Sequence, residues 1–136
     1  MNTAATQSSA LLARARRLLS DHRTRAKRDG QVLDYSLRDL AALIEANPTC
    51  KWCRMPVGYD LQLDHLTPIA RGGPHSLYNL VVSCSRCNAL KGMLTGAEME
   101  FLMEFLGGLH PVARADVERR LIAGGKRYSS RRGHAK

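Results

Sequence analysis

Aromatic residues are scarce in this 136-residue chain, at 5%, with a single Trp. One domain with flanking extensions suits that length. Its central third is rich in glycine and polar residues, which leaves too little apolar volume for a well-packed core. A structural metal would make up the shortfall. Acidic residues are also few: 12 Asp and Glu stand against 21 Lys and Arg, for a formal net charge of +9. That excess implies an anionic partner, with nucleic acid first and a membrane surface as the competing reading. It indicates a class of partner and no activity. No apolar run is long enough to span a bilayer, and the N-terminus lacks a charged segment followed by an apolar one. A membrane span and a signal peptide are thereby excluded, and a cytoplasmic location is expected. There is no internal repeat.

What is present divides into three stretches. Leu11, Leu12, Ala15, Leu18 and Leu19 recur at helical spacing, interleaved with Arg14, Arg16, Arg17, Arg23, Arg25, Lys27 and Arg28. This predicts a basic amphipathic helix from Ser8 or Ser9 to about Gly30, after a disordered start over residues 1–7. Ser36 reads as the N-cap of a helix Leu37–Ala46, ended by Asn47-Pro48. Over residues 49–94 helical periodicity stops. Leu61-Gln62-Leu63 and Leu80-Val81-Val82 read as two short strands, separated by turn residues at Pro68 and Arg71-Gly72-Gly73-Pro74. A helix is expected to begin near Asn88. Helical spacing resumes after Thr95 and closes at Gly107-Gly108. A further helix covers Val112–Ala123, and residues 124–136 read as a disordered basic tail.

Cys50-x2-Cys53 and Cys84-x2-Cys87 form two knuckles thirty residues apart. A two-residue gap lets both thiolates of a pair face one ion, and two such pairs complete the closed four-thiolate shell of structural Zn²⁺. Two disulfides or free thiols are the alternatives, and a reducing compartment disfavours the first. Between and just after the knuckles lie Asp64-His65, Asn79 and Asn88. Singly, each reads as a strand end, a turn residue or a helix cap. Framed by four ligand-spaced cysteines, they read as a site.

On these residues the stretch from Cys50 to about Gly92, with "LDHLTPIARGGPHSLYNLVVSCSRCNALKG" at its centre, resembles the HNH nuclease family in its zinc-supported bacterial and phage branch. The family letters fall on His65, Asn79 and Asn88, the last being Asn in place of His. The resemblance implies an α+β fold, a ββα-metal core of one antiparallel hairpin and a helix, stapled by the four-cysteine zinc site and flanked by helices. It divides the chain into a basic helical extension 1–47, a nuclease core 48–106 and a C-terminal helix with basic tail 107–136. It implies hydrolysis of DNA phosphodiesters to a 5′-phosphate and a 3′-hydroxyl. Asp64 and Asn88, as hard oxygen donors, would hold one Mg²⁺ or Mn²⁺. His65 would take a proton from the attacking water, and Asn79 would orient it. Neighbours on a regular strand point to opposite faces, so Asp64 and His65 serve one site only if the strand ends there. Irregular backbone is therefore expected directly after His65.

Arg71 and Lys91 are candidate phosphate contacts, as are Arg14 and Arg17 on the first helix and Lys126 and Arg127 in the tail. His75 reads as a surface residue and Trp52 as packing on the zinc loop. His22, His110 and His134 carry no pattern. Duplex DNA is the expected partner, without a membrane; a homodimer or a larger phage or restriction assembly stays open. The competing functions are a zinc-stabilised DNA-binding module without activity and an RNA-binding protein.

Overall fold

The computed structural model describes the backbone of residues 3–134 and the side chains of residues 3, 4 and 7–126. Its elements run α1 (Thr3–Arg28), α2 (Leu37–Ala46), β1 (Leu61–His65), β2 (Leu80–Cys84), α3 (Ser85–Lys91), α4 (Gly96–Gly107) and α5 (Pro111–His134), with 3-10 turns at Ile69–Arg71 and Leu77–Asn79. The fold is mixed, with five α-helices around one antiparallel hairpin. No described helix is long and apolar enough to cross a membrane.

The hairpin pairs Leu61 with Cys84, Leu63 with Val82 and His65 with Leu80. Directly opposed residues share a face, and faces alternate along each strand. Leu61, Leu63, Leu80 and Val82 therefore form one apolar face. They join Ala15, Leu18 and Leu19 of α1, Tyr35, and Leu40 and Ile44 of α2 in a first core. The N-terminal helices thus share a core with the hairpin. On the other face, Val81 packs on a second core of Cys50, Trp52, Cys87, Leu90, Met99 and Leu106. The hairpin is a partition between two small cores.

Local chemistry sets most helix ends. At α2, the Ser36 hydroxyl accepts from Asp39 N, while the Asp39 carboxylate accepts from Ser36 N at 2.8 Å, a reciprocal capping box. Thr95 and Glu98 repeat it at α4. Gly30, at φ 71°, takes the left-handed conformation that stops α1.

Three expectations change. The first helix starts at Thr3 and not at Ser8, so most of residues 1–7 is helical. α3 begins at Ser85, three residues before Asn88, because the Cys84 sulfur accepts from Cys87 N at 3.4 Å and caps it. The last helix does not stop at Ala123 but runs through Gly124-Gly125 to His134; residues 135–136 lie outside the description. It is docked on α3: Glu118 is buried and binds Arg86 and Arg114, the latter at 2.9 Å. A Cβ at Gly125 would lie 3.9 Å from the Ala89 carbonyl. Packing of this kind carries glycines through a helix despite a cost of about 1 kcal/mol each.

Candidate active site and four-cysteine centre

The four cysteines converge. Their sulfurs all lie within 4.8 Å of one another, with Cys53 and Cys84 4.0 Å apart, and none is in a disulfide. Tetrahedral Zn–S bonds of about 2.3 Å would set sulfurs roughly 3.8 Å apart. Burial opposes ionisation of Cys50, but backbone hydrogen bonds at Cys53, Cys84 and Trp52 outweigh it and bring this thiol down to about 6. Cys87 is pushed strongly up, by burial, by its hydrogen bond with Cys84, and by the charges of the other three. The Cys50 thiolate thus works against ionisation of Cys53 and Cys87, and a cation among the sulfurs would relieve that repulsion. The cluster is built to hold a metal ion.

The hairpin ends at His65, the second residue of the Asp64-His65 pair. β1 stops at His65, and the chain turns through Leu66-Thr67-Pro68 into a 3-10 turn. Asn79 holds this exit. Its Oδ1 accepts from Thr67 N at 2.9 Å, and its Nδ2 donates to the carbonyls of Thr67 and Pro74, both at 3.0 Å. Its own carbonyl accepts from Leu66 N at 2.8 Å. The side chain and the backbone carbonyl of Asn79 together thus fasten the two residues after His65. Gly73 lies against the same strand exit: a Cβ there would stand 1.9 Å from the Thr67 carbonyl oxygen. Gly73 is needed there because the protein's own backbone occupies the space a side chain would take.

Asp64 and His65 face opposite sides of the hairpin, as the period of two demands. Asp64, on the second-core side, is 7% exposed. Lys91 donates to its Oδ1 at 3.3 Å and to the His65 carbonyl at 2.7 Å, and Trp52 Nε1 lies 3.4 Å from its Oδ2. Burial pushes the Asp64 carboxyl up, and Lys91 and Trp52 oppose the shift. Lys91, expected at a phosphate, is therefore a buried counter-ion at 1% exposure. Its position four residues after the buried Cys87 turns it inward. Lys91→Met is expected to destabilise the protein by about 3–5 kcal/mol, because it leaves a buried carboxylate unpaired. Urea unfolding measures this. Recovery of most of the loss in Lys91→Met/Asp64→Asn identifies charge, and not lost packing, as the cause.

His65 faces α1 and sits in a cluster of three imidazoles. Its ring centroid lies 5.6 Å from that of His22 and 6.2 Å from that of His75. His22 is 4% exposed, with Nδ1 2.7 Å from the Tyr35 hydroxyl. His75, expected at the surface, is 3% exposed, with Nε2 3.0 Å from Asp29 Oδ2. His22 had no assigned role, yet it extends the stripe of Ala15, Leu18 and Leu19 at helical spacing, which was the available signal. Burial and the neighbouring His22 and His75 hold His65 down at about 4; burial and Arg25 do the same for His22.

These shifts have a stability consequence. A histidine with a depressed native pKa is neutral in the folded chain while the unfolded chain takes up a proton. Stability is therefore lost as pH falls from about 6.5 towards 4, and the loss levels off below. For His22, the advantage of wild type over His22→Phe is expected to shrink by roughly 2–3 kcal/mol between about pH 7 and pH 4. Urea unfolding at each pH measures it; a constant difference rejects it.

A cleft of about 300 Å³ joins the two sides at the strand end. Gln62, Leu63, Asp64 and His65 of β1 and Asn88 of α3 form one wall; Arg14, Leu18, Asp21, His22 and Arg25 of α1 form the other. Hard oxygen donors from two elements thus meet at one cleft, a donor set that fits a hard divalent cation. Asn79 does not line it and acts from behind. Arg14 both lines the cleft and donates to the Leu61 carbonyl at 2.7 Å. Arg17 and Lys126 are exposed, and the Arg127 side chain lies outside the described residues. Arg71, a candidate phosphate contact, is occupied by Glu98 and by the Met93 carbonyl at 3.1 Å, pinning the glycine loop to α4.

No curated protein matches the chain. The family model described as HNH endonuclease matches residues 50–93, from the first cysteine to just past α3.

Proposed function

We propose that the protein is a metal-dependent endonuclease acting on the phosphodiester backbone of DNA. The observation that carries this reading is the meeting of Asp64, His65 and Asn88, all inside the matched stretch, at one cleft walled by arginines.

In this reading Asp64 and Asn88 hold one Mg²⁺ or Mn²⁺, and the four cysteines hold Zn²⁺ as a purely structural ion. The divalent ion supplies charge stabilisation for the phosphate and the leaving oxygen. The other steps belong to the chain. His65, neutral near pH 7, takes the proton of the attacking water. A phosphate anion entering beside it raises its basicity, by the same electrostatics that lower it in the free protein. Asn79 keeps the strand exit, and with it His65, in one geometry. Lys91 holds Asp64 from behind. Water adds at phosphorus, the bond from phosphorus to the 3′ oxygen breaks, that oxygen takes a proton from solvent, and the products are a 5′-phosphate and a 3′-hydroxyl.

The test is nicking of supercoiled plasmid in Mg²⁺ and, separately, Mn²⁺. Relaxed circles that depend on the metal support the reading. Plasmid left intact in both metals by zinc-loaded protein counts against it, and the basic helices are then a binding surface alone.

A further inference from the structure

α1 lies outside the matched residues 50–93, yet it builds one wall of the cleft. Arg14, Leu18, Asp21, His22 and Arg25 fall on one helix face. Arg14 is already tied to the Leu61 carbonyl. Arg25 is exposed and has no side-chain hydrogen bond or ion pair among the described residues. His22 is buried with only one ring nitrogen satisfied: Nδ1 meets Tyr35, and Nε2 has no partner among the described residues.

The Tyr35 contact decides which nitrogen of His22 carries the proton. An imidazole lone pair is a better acceptor than a phenol oxygen, so the Tyr35 O–H donates to Nδ1. Burial pushes the Tyr35 hydroxyl up to about 12, so the phenol keeps its proton; burial and Arg25 hold His22 near 4, so its ring is neutral. The single ring proton then sits on Nε2. His22 thus brings a fixed N–H donor to the cleft, three residues from a free guanidinium. Against one carboxylate, Asp21, this wall carries two guanidiniums, so it favours an anion.

We propose that His22 and Arg25 form a phosphate clamp, His22 donating from Nε2 and Arg25 from its guanidinium to non-bridging oxygens of the nucleic-acid backbone held against His65. The clamp rests on the nuclease reading for the identity of what enters the cleft. On this view α1 contributes to the active site itself and is more than a general basic arm.

The two donors leave different signatures. Only a charged group displaces counterions from the nucleic acid. Binding of a labelled DNA duplex, followed by anisotropy at several salt concentrations without Mg²⁺ or Mn²⁺, separates them. Arg25→Ala is expected to weaken binding about tenfold at low salt and to lower the salt slope by about 1. His22→Phe is expected to weaken it severalfold with the slope unchanged, because a neutral donor releases no ion. His22→Gln, whose amide N–H can stand in for Nε2–H, is expected to recover most of that loss, and Arg38→Ala on α2 to keep wild-type affinity. Thermal melting checks that each variant folds; Arg25, being exposed, keeps the test open if His22→Phe does not. Wild-type slope and affinity in Arg25→Ala, or equal binding by folded His22→Phe and His22→Gln, overturns the clamp. So does a wild-type protein that binds no duplex. A protein that binds as described but leaves plasmid intact sinks the nuclease reading and leaves the clamp standing.

Discussion

Stripping the metal from the four cysteines is expected to unfold the second core and release the hairpin. Cys50 and Cys87 are themselves core residues, alongside Trp52, Leu90, Met99 and Leu106. Without a cation the four sulfurs, all within 4.8 Å, must share protons or repel. Structural zinc in small domains contributes on the order of 10–16 kcal/mol, which equals or exceeds the roughly 5–15 kcal/mol that holds a whole domain folded. The consequence reaches the cleft through the chain. Cys84 ends β2 and caps α3, and Asn88 and Lys91 follow on that helix. Loss of the ion therefore displaces an oxygen donor of the cleft and the partner of Asp64 together. Far-UV circular dichroism and amide exchange of residues 61–65 and 80–84, before and after chelation, read the effect, with metal content followed by mass spectrometry. Cys84→Ser should show the same loss. A Cys84→Ser protein proved metal-free, with native spectra and full cutting, would refute the structural role of the centre.

His65→Ala is expected to lower the nicking rate by about 10²–10⁴-fold, the usual contribution of a positioned general base. The fold should survive. His65 lies at the end of its strand, and the hydrogen bonds that hold the exit involve its carbonyl, Leu66, Thr67 and Asn79, none of them the His65 ring. Affinity for duplex DNA should stay within a few-fold of wild type, because a neutral imidazole releases no counterion. The loss should therefore appear in kcat and leave KM nearly unchanged. A His65→Ala protein that nicks plasmid at the wild-type rate would remove His65 from the mechanism and move attention to His22, the other imidazole of the cleft.

The legible parts of this chain were those with a period or a fixed spacing. Ser36 with Asp39, and Thr95 with Glu98, mark helix starts because a cap needs its partner three residues on. Leu61 to Leu63 and Leu80 to Val82 alternate because these positions share the face packed on the first core. Cys-x2-Cys spacing follows from two thiolates facing one ion. The break after His65 was legible as well, because two neighbours on a regular strand cannot share a face. Charge was the misleading signal. Lys91 and Arg71 read as candidate phosphate contacts, and in the structure they pair with Asp64 and Glu98. His75 read as surface because it follows a glycine loop, yet that loop folds back onto Thr67 and carries the ring to Asp29.

By itself, then, the sequence determined the mixed helix-and-hairpin class, the four-cysteine centre, the Ser36 helix cap and the strand end at His65. Each depends on residues within a few positions of one another, or on a ligand spacing that a metal imposes. Only the tertiary structure decided which charges are solvated and which histidines meet. Lys91 and Asp64 are 27 residues apart, His75 and Asp29 are 46, and Arg14 and Leu61 are 47. No local rule links such pairs. They meet because the hairpin separates two cores and α1 packs along one of its faces, closing the cleft from outside the HNH stretch.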